Sequence, residues 1–197
     1  MKSNVPTLAP LLRTNLQGDV LALLLLNPDR EWSITALAER LGTNLPSVLR
    51  EVNRLLAGGF LRERKVGRNR MILASEEHPL FRPLVQMLEY SYGPLVVLPE
   101  VLRGISKIEL AYIYGSWAAR HEGIAGPDPA DIDVLVVGRP DRLALADAAE
   151  VATRRLNREV NIRTVARDSW QDDNEYFIRS IKERPMLELD LERRHEE

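Results

Sequence analysis

Apolar residues recur at helical spacing in the first third of the chain and predict three helices. We expect these helices over residues 17–27, 36–40 and 46–57. Proline or glycine follows each of the three segments, and both residue types end helices. The third helix has the clearest apolar stripe, with residues three and four apart on one side: Val48, Leu49, Val52, Leu55 and Leu56.

A β-hairpin is predicted after the three helices. Two short strands are expected over residues 60–65 and 70–74, joined by a glycine-containing tip, with a further short strand over 31–33. Helix, helix, turn, helix and β-hairpin is the element order of a winged helix-turn-helix. Residues 15–77 resemble the winged DNA-binding domain of ArsR/MarR-type bacterial regulators. The resemblance implies that the third helix is a recognition helix and that the protein binds double-stranded DNA as a homodimer.

Helices and strands alternate in the rest of the chain. The predicted elements are helices over 78–92, 95–102, 142–158 and 168–182, and strands over 108–114, 131–137, 159–166 and 186–189. The sequence thus predicts an α+β protein. Its parts are a winged helix-turn-helix over 1–77, linker helices over 78–104 and a mixed-sheet domain over 105–197.

Charge is unevenly distributed along the chain. The 197 residues carry a formal net charge of −2, but residues 1–77 hold 11 Lys/Arg against 8 Asp/Glu, and residues 78–197 hold 16 against 21. The basic excess is sharpest over residues 40–70, with 8 basic and 2 acidic residues. Such a segment in an acidic protein indicates a local surface for a polyanion. The alternatives are a solvated charged surface and a winged helix that binds protein.

The candidate DNA-binding residues lie on the third helix and on the hairpin. An α-helix fits the major groove, and phosphate contacts from flanking basic residues set its register. The candidates lie at the start or on the polar face of the helix, or at the wing tip: Asn44, Ser47, Arg50, Arg54, Arg68 and Arg70. The leucine-rich first helix and residues 78–102 are the candidate dimer surfaces, with the domain's own core as the alternative for both.

A second kind of site is indicated between residues 112 and 137. A strand ends at Gly115-Ser116, and a later strand begins with Asp131 and Asp133. Residues two apart on a strand point to the same face, so the two carboxylates converge, and Mg²⁺ accepts such oxygen ligands. A Gly-Ser turn that opens a helix offers N–H groups and a hydroxyl to a phosphate. Together the two motifs indicate a metal–nucleotide site.

These motifs, in this order and followed by an apolar strand, resemble the minimal nucleotidyltransferase domains of the DNA polymerase β superfamily. The resemblance covers about residues 105–190. It implies an NTP substrate and Mg²⁺, with the two aspartates as catalytic residues and metal ligands. It also implies that Gly115 and Ser116 bind the nucleotide phosphates. Arg120, one turn further on, either neutralises phosphate charge or has a surface role.

The sequence departs from this family at the third carboxylate. The superfamily supplies it from a later strand, where this chain has Asn161. An amide oxygen can ligate a metal, but it brings no charge and is a poor base. Glu159, two residues earlier, is either a substitute or an exposed charge at the strand edge.

Two function hypotheses follow. The first is Mg-dependent transfer of NMP from an NTP to an unknown protein or RNA acceptor, in a regulatory or toxin–antitoxin role. The second is a catalytically inactive transcriptional regulator whose nucleotidyltransferase-like domain senses a nucleotide or binds a partner. The fourteen residues between Ser116 and Asp131 also exceed the expected spacing by about four, and Gly and Pro mark them as a loop.

Cysteine content and hydropathy indicate which cellular compartment to expect. The chain has no cysteine, which excludes disulfides and thiolate zinc sites and fits a reducing compartment. No basic segment precedes the first apolar run, and that run, over residues 20–26, is far too short to span a bilayer. We therefore expect a cytoplasmic protein that does not bind membranes.

Overall fold

The computed structural model describes residues 11–172 and 175–192. The chain divides into two units, Met1–Val96 and Val97–Glu197. Each unit packs helices on a β-sheet, which confirms the α+β class. Within the described residues, no helix has both the length and the apolar character needed to cross a membrane.

The first unit contains an antiparallel three-stranded sheet and the helices around it. In chain order its elements are α1 (Asn15–Leu25), β1 (Trp32–Ser33), α2 (Ile34–Arg40), α3 (Leu45–Ala57), β2 (Leu61–Val66), β3 (Asn69–Ala74) and α4 (Phe81–Tyr92). The strand order is β1-β3-β2. Three helices followed by a hairpin, with a short strand completing its sheet, is the arrangement of a winged helix, and β2–β3 is the wing.

Side-chain caps determine where the first three helices begin. Thr14, Ser33 and Asn44 each accept a hydrogen bond from a backbone N–H, at 3.0 to 3.1 Å. Such caps satisfy N–H groups that the first turn of a helix leaves unpaired. The wing turns at Gly67-Arg68, where Gly67 has a φ of +59°, a value that glycine adopts without strain.

The leucines of α1 are buried in the core of the first unit. Leu21, Leu23, Leu24 and Leu25 are at most 7% exposed, and Leu88 of α4 belongs to the same cluster. These leucines therefore take the alternative role, that of core residues in their own unit, and a dimer surface on α1 stays a prediction. The other predicted dimer surface, over 78–102, stays a prediction; on α4 it exposes Met87 and Tyr90.

The second unit is built on a mixed four-stranded sheet. Its elements are α5 (Pro94–Leu102), which begins at the unit boundary, β4 (Ile108–Tyr114), α6 (Gly115–His121), β5 (Asp131–Gly138), α7 (Arg142–Leu156), β6 (Glu159–Val165), α8 (Arg167–Gln171), α9 (Tyr176–Lys182) and β7 (Leu187–Glu188). The strand order is β6-β5-β4-β7. Strand β4 is antiparallel to β5 and β7, whereas β5 and β6 are parallel and α7 connects them.

Strand alternation divides the sheet residues between two faces. One face packs into an apolar core with α5, α6 and α7, and it includes Ala111, Ile113, Ile132, Val134 and Val136. The opposite face is called the site face and carries Tyr112, Tyr114, Asp131, Asp133, Asn161 and Arg163. Trp170 of α8 stacks on Tyr112, and Phe177 of α9 meets Tyr114 edge-on, so both helices lie against the site face.

Two sequence predictions differ from the structure. The helix predicted over 168–182 is divided into α8 and α9, and the residues that flank the break, Asp172 and Glu175, have extended backbone. Residues 171–175 are all polar, so no apolar side chain holds a helical turn there against the sheet. The helices predicted as a linker over 78–104 contribute to both cores, through Leu88 in the first unit and Leu98 in the second.

Candidate functional site

The start of α3 carries two of the predicted DNA-binding residues, and their positions there are set by capping. The Asn44 side chain accepts a hydrogen bond of 3.0 Å from the backbone N–H of Ser47. Asn44 is exposed, and Ser47 is half-buried. The cap explains why the helix begins at Leu45 and already gives the Asn44 amide oxygen a partner.

Arg54 forms an ion pair with Glu51 within the first unit. Its Nη1 donates to both carboxylate oxygens of Glu51, at 2.8 and 3.0 Å, and Arg13 donates to the same carboxylate at 3.1 Å. The Glu51 side chain is only 7% exposed. A buried carboxylate depends on such cationic partners, so the structure gives Arg54 a stabilising role in addition to its predicted contact with DNA.

Arg70 joins the wing to α3. Its Nε donates to Glu63 at 2.7 Å, and its Nη2 donates to the side-chain oxygen of Asn53 at 3.2 Å. On the same hairpin, Arg64 makes two hydrogen bonds to Glu31, at 2.7 and 2.6 Å. Counting the Arg54–Glu51 pair, three of the eight basic residues over 40–70 are therefore engaged by glutamates.

Arg50, Lys65 and Arg68 remain available on α3 and the wing. All three are exposed, and none of their side chains makes a hydrogen bond or an ion pair to any residue in the described part of the chain. Arg68 lies in the two-residue turn at the wing tip, and Arg50 lies on the exposed side of α3. These are the cations that can meet a phosphate without breaking an intramolecular contact.

Asp131 and Asp133 lie together on the site face at the start of β5. Backbone register places Tyr114 of β4 opposite Asp133 on one side and Asn161 of β6 opposite it on the other. Directly paired residues on neighbouring strands project from the same face. The sheet thus gathers the two carboxylates, the phenol and the amide predicted to stand at the third ligand position.

Asn161 contacts Asp131 through its amino group. Its Nδ2 donates a hydrogen bond of 2.9 Å to Asp131 Oδ2. A carboxylate only accepts hydrogen bonds, so the amide must present its NH₂ group to Asp131. Glu159, the other candidate for the third carboxylate, is exposed and pairs in register with Asp131.

Gly115 is required by its closeness to Asp133. It has a φ of +76°, and a Cβ added there would lie 2.7 Å from Asp133 Oδ2. Only glycine satisfies both the backbone conformation and the space. Ser116 is exposed at the start of α6. Because α6 spans only seven residues, its dipole offers a phosphate less than a long helix would.

Burial and neighbouring charge raise the pKa values of Asp133 and Tyr114 at the site. The pKa of Asp133 is raised by burial and then by the charge of Asp131, while Arg163 lowers it. Burial, followed by Asp133, also raises the pKa of the Tyr114 hydroxyl. Two carboxylates on neighbouring positions of one face are the kind of donor set that a divalent cation stabilises. The residues present therefore fit Mg²⁺ through Asp131 and Asp133.

The residues fit Mg²⁺ less well at the position of the third ligand, where the chain has the neutral Asn161. No group of three or more His, Cys, Asp or Glu side chains suited to a metal occurs among the residues that the structure describes. Asn161 must turn its amide about before its oxygen can face a cation near Asp131. The protein thus supplies two anionic oxygen ligands, rather than three.

Arg120 and Arg158 organise the loop between α6 and β5. Arg120 donates to the carbonyl oxygen of Ile124, and Arg158 donates to the carbonyl oxygen of Pro129 and, at 3.0 Å, to Asp128. The guanidinium predicted to neutralise phosphate charge is therefore directed at a backbone carbonyl. Its role in nucleotide binding stays a prediction, and Asp128 is an ion-pair partner at the loop.

Sequence reasoning missed Arg163. This residue lies two positions after Asn161 on β6, and its guanidinium is 5.4 Å from the centre of the Phe177 ring. The period of two along a strand places it on the site face with Asn161, so the signal was present once β6 had been identified. Its neighbour Phe177 belongs to α9, a separate element, and no local sequence pattern predicts the contact between the two residues.

Comparison with known proteins gives partial likenesses. No protein-family model and no curated protein matches the chain. A solved structure of reduced HlyU from Vibrio cholerae N16961 is 20% identical, with a TM-score of 0.34, and the match covers 39% of this chain and 75% of HlyU. The transcriptional regulator BldR from Sulfolobus solfataricus is 20% identical, with a TM-score of 0.37, over 52% of this chain and 70% of BldR.

A third structure extends the same comparison. The adhesin competence repressor AdcR from Streptococcus pyogenes is 21% identical, with a TM-score of 0.33, and the match covers 39% of this chain and 55% of AdcR. Likenesses of this size do not assign a function. The description of the first unit as a winged helix rests on its own three helices, its hairpin and the strand order β1-β3-β2.

Proposed function

We propose that this protein is a DNA-binding transcriptional regulator whose second unit binds a magnesium-bound nucleoside triphosphate. The winged helix would contact double-stranded DNA, and Asp131 and Asp133 would hold the metal. The observation that carries the nucleotide half is the meeting of Gly115, Asp131, Asp133 and Asn161 at one end of the site face. Because both binding sites belong to one chain, binding of the nucleotide would regulate binding of DNA.

The DNA half is supported by the available cations of α3 and the wing. Arg50 lies on the polar side of α3, and Lys65 and Arg68 lie at the far end of the hairpin. A helix in the major groove with a basic hairpin beside it is a recurrent docking geometry. Because these cations have no partner in the described chain, contact with phosphates costs no internal ion pair.

The nucleotide half is supported by chemistry that the two aspartates share. Mg²⁺, when bound, supplies positive charge to the oxygens of a polyphosphate and relieves the repulsion between the carboxylates. Asp131 and Asp133 would be its protein ligands. Gly115 keeps the chain close to Asp133 without obstructing it, and the next residue, Ser116, is exposed and would offer its hydroxyl to a phosphate.

Asn161 favours binding over transfer. The residue is neutral, and it donates to Asp131 where a third carboxylate would otherwise stand. An amide does not accept a proton from an attacking hydroxyl at neutral pH, so the site has no evident general base at this position. A nucleotide sensor needs no such base.

Transfer of NMP to a protein or RNA acceptor is the second candidate. It is favoured by the two carboxylates on one face of β5 and by the exposed Glu159, which pairs in register with Asp131. Incubation of the protein with each α-labelled NTP and Mg²⁺ tests this. Label on RNA or protein that disappears in Asp131→Asn/Asp133→Asn would establish transfer.

Two binding measurements test the main proposal. Calorimetry with MgATP, MgGTP, MgCTP and MgUTP should detect binding of at least one by the wild type and of none by the Asp131→Asn/Asp133→Asn variant. Gel retardation of a random-sequence duplex at low salt should detect a complex that weakens in Arg50→Ala. Absence of both signals in the wild type would reject the proposal.

A further inference from the structure

Arg163 is held against Phe177 beside the carboxylate pair. Its guanidinium lies 5.4 Å from the centre of the Phe177 ring, and the same ring meets Tyr114 edge-on with the centroids 6.4 Å apart. Tyr114 is the backbone partner of Asp133. Phe177 therefore lies between Tyr114 and Arg163 and connects them on the site face.

The position of Arg163 relative to the aspartates follows from the sheet. Asn161 pairs with Asp133, and Arg163 lies two residues further along the parallel strand β6. Two residues of a strand span about 7 Å, which is within the reach of a ligand that contacts Asp133 through a metal. The carboxylates and the guanidinium thus face the same space from neighbouring strands.

The N–H groups of Arg163 are unused by the protein. Arg163 is exposed, and its side chain makes no hydrogen bond or ion pair to residues 11–172 or 175–192. The guanidinium carbon of Arg163 lies over the ring of Phe177, and a cation–π contact leaves the N–H donors of the guanidinium able to bind a ligand. By contrast, the side chains of Arg120 and Arg158 donate hydrogen bonds to backbone carbonyl oxygens.

We infer that Arg163 binds the phosphate chain of the nucleotide at this site. The inference rests on the proposed binding of a metal–nucleotide by Asp131 and Asp133. A guanidinium matches two phosphate oxygens at once, and the cation–π contact with Phe177 holds the Arg163 side chain over the site face before the ligand arrives. Arg163 thereby fills the role that the sequence alone assigned to Arg120, and the recognised group is a polyphosphate rather than the base.

Calorimetry on the full chain with Arg163→Ala tests this. The four Mg-NTPs are screened with the wild type, and the one that binds most tightly is compared with its own monophosphate. Arg163→Ala should weaken triphosphate binding about tenfold or more, and monophosphate binding much less. Arg163→Lys should recover part of the loss, since it restores the charge without the planar fork.

Matched variants separate this role from general effects of charge and packing. Arg139→Ala removes an exposed arginine just past the other end of β5, about 20 Å or more along the strand from Asp131, and should leave binding unchanged. Phe177→Leu removes the stacking ring while it keeps an apolar side chain, and it should weaken triphosphate binding less than Arg163→Ala does.

The outcomes are distinct for the two proposals. If the wild type binds a Mg-NTP and Arg163→Ala binds it equally well, the role of Arg163 is overturned while the nucleotide site stands. Equal losses for triphosphate and monophosphate would also overturn it, because the effect would not follow the phosphate chain. A wild type that binds none of the four Mg-NTPs overturns both the nucleotide site and the role of Arg163.

Discussion

Asn161 Nδ2 donates a hydrogen bond of 2.9 Å to Asp131 Oδ2, across two adjacent parallel strands. At the position where a third carboxylate was expected, the protein thus has a neutral amide that binds one of the two aspartates. The donor is neutral, so it satisfies an oxygen of Asp131 without adding charge to the site. The same position occupied by an acid would add a third negative charge to a site where burial and Asp131 already raise the pKa of Asp133.

The first prediction concerns Asn161→Asp. Without divalent metal, three facing carboxylates repel one another, so the variant should unfold at a lower temperature than the wild type. Millimolar Mg²⁺ should restore more of its stability than it adds to the wild type, since the site then has three anionic ligands. Thermal unfolding with and without MgCl₂ measures both effects.

Asn161→Ala is the control for that substitution. It removes the hydrogen bond to Asp131 without adding charge, so its loss of stability should not respond to Mg²⁺ more than the wild type does. If Asn161→Asp and Asn161→Ala responded equally to the metal, position 161 would lie outside the ligand set.

The second prediction compares two glycines of positive φ. Gly115 and Gly123 have φ values of +76° and +79°, but a Cβ at Gly115 would lie 2.7 Å from Asp133 Oδ2, whereas a Cβ at Gly123 would meet no atom within 4 Å. Gly123→Ala should therefore cost only the backbone strain, about 1–2 kcal/mol. Gly115→Ala should cost more and should also weaken Mg-NTP binding, because Asp133 must move. Urea unfolding and calorimetry give the two values, and equal costs would show that Asp133 does not restrict position 115.

The third prediction uses Asp19 of α1, which is half-buried. Burial raises its pKa above the ordinary value of 3.8, and its charge helps burial to raise the pKa of Tyr92 to about 12. Since the folded state holds this proton more tightly, stability is lost as the pH rises from 3.8 through the raised pKa. Asp19→Asn should therefore unfold at higher urea concentration than the wild type at pH 7.

The difference for Asp19→Asn should vanish below pH 3.8, where the wild-type carboxyl is protonated in both states. Glu76→Gln removes an exposed acid from the same unit and controls for the change in net charge. A stabilisation by Asp19→Asn that persisted unchanged in acid would assign the effect to packing against Tyr92, because protonation would no longer distinguish the two proteins.

Local patterns were enough to predict most of the elements and the face shared by Asp131 and Asp133. Strand alternation has a fixed period, so two residues of β5 suffice to place both carboxylates. The contact of Arg163 with Phe177 of α9 could not be predicted, because the two residues lie on different elements. The contact of Arg120 with the carbonyl oxygen of Ile124 depends on the conformation of the loop that follows α6, which the sequence pattern does not determine. The engagement of Arg70 by Glu63 likewise required the pairing of β2 with β3, which brings the two side chains together.

The last prediction separates the arginines of the winged helix by their contacts. Arg50 and Arg68 have no partner in the described residues, whereas Arg54 holds the buried carboxylate of Glu51. Arg50→Ala and Arg68→Ala should each lower the affinity for a random duplex and reduce the slope of log K against log[salt] by about 0.9, without a change in unfolding free energy. Arg54→Ala should instead destabilise the first unit, because among the described residues Glu51 then keeps Arg13 alone as its cationic partner.

Fluorescence anisotropy with a labelled duplex, repeated over a range of KCl concentrations, measures the slopes, and urea unfolding measures the stabilities. Arg82→Ala is the matched control, since Arg82 is exposed on α4 and also lacks a partner among the residues described. It removes the same charge from the same unit at a place outside α3 and the wing. Equal slopes for Arg50→Ala, Arg68→Ala and Arg82→Ala would mean that the unit attracts DNA through net charge alone, and the proposed docking of α3 would be wrong.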